Sequence, residues 1–157
     1  MEAYSKAVEL LGSKKEHFLQ IEVLTESMKT APLEELLVVF EQRGEILKLV
    51  EDLDKELGLL AKSAPCIKDA LNNAAPPLAS DKKLAVIYKL SLDIKAAANR
   101  ILKTDPEILQ RVENERKQLL ERLEEMNNSG SSVASSYMRS VQTGVTVPSL
   151  MGNDKTI

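Results

Sequence analysis

The sequence predicts an all-α protein: an elongated antiparallel bundle of three to four long helices with a flexible C-terminal tail. Three observations carry that expectation. Apolar residues recur three and four positions apart along most of the chain, which is the period of a helix with one buried face. Five of the six prolines, Pro32, Pro65, Pro76, Pro77 and Pro106, stand at apparent breaks between such stretches. Aromatics make up only 3% and Trp is absent, while Leu, Ala, Glu and Lys dominate, so the core must be aliphatic and the chain favours helix.

The first helix is expected from about Glu2 to Lys29, where Tyr4, Val8, Leu11, Phe18, Ile21, Leu24 and Met28 form one face. "TAPLEE" then punctuates the chain: Pro32 suits a first helical turn, and Glu34 and Glu35 suit the positive end of a helix. The second helix, about Pro32 to Lys62, carries a heptad-like seam of Leu33, Leu36, Phe40, Arg43, Leu47, Val50, Asp54 and Leu57. A second row, Ile46, Leu49, Leu53 and Leu60, widens the stripe, as expected for a helix packed on two sides. Residues 63–80 read as a long connection. Pro65 ends the second helix, Pro76 and Pro77 forbid another through that point, and a short helix fits between Cys66 and Asn73.

Ser80 or Asp81 is placed to cap a third helix with the stripe Leu84, Ile87, Tyr88, Ser91, Ile94, Ala98 and Ile101. "TDPE" reads as a new start, with Asp105 as cap, Pro106 in the first turn and Glu107 after it. The fourth stripe is Leu109, Val112, Leu119, Leu120, Leu123 and Met126, stopped by "MNNSG". One helix kinked at Pro106 is the alternative to separate third and fourth helices. The bundle is therefore expected over residues 1–126. A tail follows over 127–157, whose apolar residues, Tyr137, Val141 and Val145 among them, order conditionally.

Net charge is −3 with both signs mixed and no basic stripe, which argues against a general nucleic-acid binder. No apolar run approaches the roughly 18 residues of a membrane span. With no signal-like N-terminus and a single cysteine, Cys66, the expectation is a reduced cytoplasmic protein. His17 is the only histidine and sits mid-helix without a supporting motif, and Cys66 has no Cys or His at ligand spacing, so neither a catalytic device nor a metal centre is expected. No phosphate-binding glycine loop is present, and no cofactor is expected.

Two resemblances bear on function. "QRGEILKLVEDLDKELGLLAKSA", Gln42 to Ala64, resembles the first helix of the all-helical chorismate mutases. Arg43 would there hold a substrate carboxylate, with Asp52 or Asp54 as the aspartate, although Lys62 stands where a second arginine belongs. The broader resemblance is to the small export chaperones of bacterial flagella, which escort hook-associated proteins or the filament cap. It rests on "VLTESMKTAPLEELLVVFEQRGEILKLVEDLD" (Val23 to Asp54), on "LDIKAAANRILKTDPEILQRVENERKQLLERL" (Leu92 to Leu123), and on the tyrosine of "SSYMRS" after the last charged helix.

The chaperone resemblance implies a non-enzymatic protein that binds an amphipathic C-terminal client helix in an apolar groove and delivers the client to the export apparatus. The expected client surface is Ile94, Ala98, Ile101, Leu109, Val112, Leu119 and Leu123, and Tyr137 is the expected contact with the export apparatus. A homodimer or coiled-coil adaptor, formed through the Leu33–Leu57 seam, is the other expectation.

Overall fold

The structure, a computed structural model, describes residues 2–78 and 80–141, with side chains through residue 128. Among these residues the fold is all-α, with helices α1 (Glu2–Ser27), α2 (Leu33–Ser63), α3 (Pro65–Leu71) and α4 (Lys82–Val141) and no strand. The chain forms two compact units, Met1–Val112 and Glu113–Ile157.

The helix ends follow from local chemistry. Pro32 precedes α2 in an extended conformation, and Glu34 and Glu35 fall in the first turn. Ala64 is extended at φ −139°, because the ring of Pro65 disfavours the helical region for the residue before it. Pro65 then opens α3 at its first position, where a missing N–H leaves nothing unpaired. After α3 the chain turns at Asn73, whose φ of 54° lies in the left-handed region that Asn tolerates better than most residues. Asp81 caps α4, its Oδ1 accepting the Leu84 N–H at 3.2 Å.

Two expectations change at α4. The helix continues through Asp105–Pro106 as one element, so one helix rather than separate third and fourth helices is observed. It also continues through Asn127–Gly130 to Val141, past the expected stop, so residues 127–141 are helical rather than tail. Residues 142–157, with Val145 of the expected tail, lie outside the described residues.

Unit one is assembled on a seven-residue step repeated on three helices. Ile21 and Met28 from the α1 segment, Leu36, Val50 and Leu57 on α2, and Ile87, Ile94, Ile101 and Ile108 on α4 are all buried. They meet in layers. Met28, Leu36 and Ile108 form one, and Ile21, Val50 and Ile101 the next. A larger cluster follows, in which Leu11, Leu57, Ile87 and Ile94 are joined by Ile67 and Ala70 of α3. Each fully buried aliphatic side chain contributes about 1.5–3 kcal/mol relative to exposure, so these layers dominate the stability of the unit.

The layers also give direction. Residues of α1 pair with α4 at a constant offset: Lys15 with Asp93 and Glu22 with Arg100, each 78 positions apart. Ser5 with Lys83 and Glu26 with Thr104 repeat the same offset. Such an offset means that α1 and α4 run parallel. Helix α2 is antiparallel to both, since Leu36 meets Met28 and Ile108 while Val50 meets Ile21 and Ile101. The Arg111 guanidinium closes the α1–α2 turn by donating to the Met28 carbonyl at 2.7 Å and to the Ala31 carbonyl.

The α1–α4 ion pairs make stability acid-sensitive. Arg100, hydrogen-bonded to Glu22, holds that carboxyl below its usual range, and Lys15 and Lys89 do the same for Asp93. A carboxylate with a lowered folded pKa contributes stability that is present above its unfolded pKa and is lost as pH falls through the folded value. Urea midpoints should therefore drop below about pH 4. The Glu22→Gln and Asp93→Asn variants should show a shallower acid limb than the parent protein, and parallel limbs in a pH series of unfolding curves would contradict this.

Candidate functional site: a groove between two helices

Beside each buried row runs a second row at the same seven-residue step. On α2 it is Leu33, Phe40, Leu47, Asp54 and Ala61, and on α4 it is Lys95, Leu102 and Leu109. The α4 row lies on the side away from α1, because Asp93, Arg100 and Glu107 hold the opposite side against α1. Both rows are open to solvent. Phe40 and Leu47 are about two-fifths exposed, and Leu102 and Leu109 are each 65% exposed.

At one end the two rows enclose a cavity of about 800 Å³. Asp54, Gly58 and Ala61 of α2 form one wall, and Ser91, Ile94 and Lys95 of α4 the other. Leu11 and Lys14 of α1 contribute to its lining as well, and α3 closes the end with Pro65, Lys68 and Leu71. The short α3 thus takes the fourth position of a helical bundle over only two turns, and among the described residues of unit one no other helix continues it.

The closed end is braced by polar contacts. Ser91 Oγ donates to the Leu71 carbonyl at 2.6 Å. Asn73 Nδ2 donates to the Tyr88 carbonyl at 3.1 Å, and Lys95 Nζ donates to Asn73 Oδ1 at 2.6 Å. The Lys14 ammonium meets Asp54 at 2.6 Å and lies 5.9 Å from the Phe18 ring centroid. Further along, Arg43 clamps Asp105 through two hydrogen bonds of 2.9 Å each.

These positions revise the expected client surface. Ile101 is buried in the Ile21–Val50 layer, and Ile94 is buried in the larger cluster, where it also lines the cavity. Ala98 is half-buried, and Val112 packs partly against the Met28 layer. Leu109 is exposed on the α4 flank as a surface residue should be, while the neighbouring Ile108 takes the core position. Leu119 and Leu123 belong to the second unit, where they and Leu120 are nearly half exposed and Met126 is about two-thirds exposed. Tyr137 lies in α4, and its side chain is outside the described ones.

The heptad pattern places Phe40 and Leu47 in the α2 seam and leaves Leu102 outside the α4 stripes. The signal that finds them is the repeated step beside the core row. Arg43, the arginine of the mutase resemblance, is held by Asp105, and its side chain is 17% exposed. That leaves no open fork for a substrate carboxylate. Among the described residues no group of three or more His, Cys, Asp or Glu is placed to hold a metal, and no helix is long and apolar enough to cross a membrane.

No family model, no curated protein and no solved structure matches this chain.

The Arg43–Asp105 pair is mostly removed from water, so breaking it leaves a charge without its partner. Arg43→Ala should destabilise unit one by about 2 kcal/mol, somewhat under the full penalty for a deeply buried pair. The double variant Arg43→Met with Asp105→Leu should recover most of that loss. Urea unfolding of the three proteins decides it, and additive losses in the double variant would show that the pair is not coupled.

Proposed function

We propose that this chain is a non-enzymatic, cytoplasmic export chaperone of the flagellar type, which holds an amphipathic helix of a hook-associated or filament-cap client. The observation that carries the reading is the exposed apolar edge among the described residues, with Phe40 and Leu47 on α2 and Leu102 and Leu109 on α4. A bundle whose described helices leave apolar rows exposed on two neighbouring members suits one more amphipathic helix, whose residues at i, i+3, i+4 and i+7 enter the space between α2 and α4. Holding such a helix hides a segment that would otherwise assemble early. The resemblance over Val23–Asp54 and Leu92–Leu123 supports the same reading, and Tyr137 is the proposed contact with the export apparatus.

Co-expression with the C-terminal helix of a hook-associated or cap protein should yield a stable complex. Leu47→Glu with Leu102→Glu should abolish it while the circular dichroism spectrum stays helical. A complex that survives the double substitution would place the client elsewhere and defeat the groove assignment. Tyr137→Ala should leave client binding within about twofold and weaken docking to the export apparatus, and equal loss of both would count against that role.

A second reading has its own observation. Leu119, Leu120, Leu123 and Met126 of the second unit are all 45% exposed or more, which suits self-association as a homodimeric adaptor. Light scattering across concentrations should then report a dimer that Leu119→Glu with Leu123→Glu dissociates. A monomer at all concentrations would remove this reading.

A further inference from the structure

The closed end of the groove has a charge signature that the fold does not need. Four lysines, Lys14, Lys62, Lys68 and Lys95, stand around the cavity against a single acid, Asp54, in a chain whose net charge is −3. Lys14 neutralises Asp54 directly. Lys95 donates to the neutral Asn73 amide and keeps its charge uncompensated. Lys62 and Lys68 make no ion pair among the described residues. The ion pairs joining α1 to α4 use other residues, Lys15, Lys29 and Arg100 among them. Three positive charges therefore converge on the rim of an apolar cavity floored by Leu11, Leu57 and Ile94, with no structural acid to meet them.

We propose that this end of the groove is an acid-reading subsite: it takes a partner helix whose apolar face is followed by a cluster of Asp or Glu side chains. The acids sit against Lys62, Lys68 and Lys95, and the apolar residues lie along Phe40, Leu47, Leu102 and Leu109. The inference rests on the helix-docking reading above and adds the charge class and orientation of the bound segment.

Length selects a helix over a small anion. From Ala61 to Phe40 the α2 row rises roughly 30 Å at 1.5 Å per residue, which matches about 20 residues of a partner helix. Only its closed end is basic. Opposed charges at one end also fix the direction in which a helix lies, because the reversed helix would bring its carboxylates to the apolar end and leave the lysines unmatched. A lysine cluster of this kind steers encounter with an acidic segment and discriminates against basic ones.

Gly58 supplies a means of testing occupancy. It lines the cavity, and a Cβ built on it meets nothing within 4 Å. A side chain introduced there enters open space and also raises helix propensity.

The test uses fluorescein-labelled synthetic helices of about 20 residues with Leu and Ile at i, i+3, i+4 and i+7. One carries four Glu in its terminal turns, and its sisters carry Gln or Lys at the same places. Anisotropy titrations against the full chain should show the Glu peptide binding about tenfold tighter than the Gln peptide, with the Lys peptide weakest, and the difference should shrink as salt rises. Lys62→Glu with Lys68→Glu should weaken the Glu peptide by about tenfold or more and reverse the preference toward the Lys peptide. Gly58→Leu should block all three peptides without lowering the melting temperature.

Equal affinity for the three peptides, all lost in Gly58→Leu and in Leu102→Glu, would overturn the acid-reading subsite and leave helix docking standing. No binding of any peptide at about 1 mM would remove both. A cavity that takes dodecanoate while the Glu peptide fails to displace it would assign the lysines to a small anionic amphiphile and overturn the proposal.

Discussion

The interaction on which unit one depends is the bidentate pair between Arg43 and Asp105. It lies between two aliphatic layers, Met28–Leu36–Ile108 on one side and Ile21–Val50–Ile101 on the other. Aliphatic layers alone tolerate sliding, because an Ile row shifted by a heptad on α4 meets another Ile. A charged pair does not. A one-heptad shift of α4 along α2 would set the mostly buried guanidinium against Ala98 or Val112, and the carboxylate against Leu36 or Val50, at a desolvation cost of several kcal/mol. The pair is thus weak as a source of net stability and strong as a determinant of register. The constant offset between α1 and α4, with its four polar contacts, agrees with a bundle held in one alignment.

The same pair explains why the sequence misleads at Asp105–Pro106. Asp before Pro before Glu is a good start signal, and capping of that kind is worth about 1 kcal/mol. Proline inside a helix costs about 3 kcal/mol, partly because the carbonyl four residues earlier loses its donor. Here that residue is Leu102, which is 65% exposed on the outer flank, so water is at hand for the carbonyl. Continuity keeps Ile94, Ile101 and Ile108 on one face, and Asp105 facing Arg43. Burial of three isoleucines and a satisfied ion pair outweighs a local cap.

Helix class, the ends of α1 and α2, the short α3 and the Asp81 cap were legible because each rests on neighbours in the chain. The phase of the second half of α4 was not. Assuming a restart at Pro106 shifts the seam to Leu109, whereas the unbroken step from Ile87 lands on Ile108. For the same reason Ile94 and Ile101, read as a binding surface, turn out to be core. Sequence periodicity identifies a stripe, but which edge of it is covered depends on how many helices arrive. With only two turns of α3 in the fourth position, the edge formed by Phe40, Leu47, Leu102 and Leu109 stays open. "MNNSG" was overridden as well, and no contact among the described side chains supplies a physical account of that.

The position of the open edge separates function from folding. The core rows, and on α4 the ion pairs with α1, lie on other faces from the groove rows, and in the α2 row only Asp54 is tied to α1, through Lys14, so a partner seated along Phe40, Leu47, Leu102 and Leu109 leaves the register of the bundle untouched. Its walls are braced before anything binds, through Ser91 and Asn73 at the α3 end and through Arg43–Asp105 further along. Pre-organised walls reduce the ordering cost of binding, and the partner helix then contributes most of the entropy loss. The uncompensated lysines add direction. An apolar trough by itself accepts an amphipathic helix either way round, and only the asymmetry of charge between its two ends distinguishes one orientation from the other.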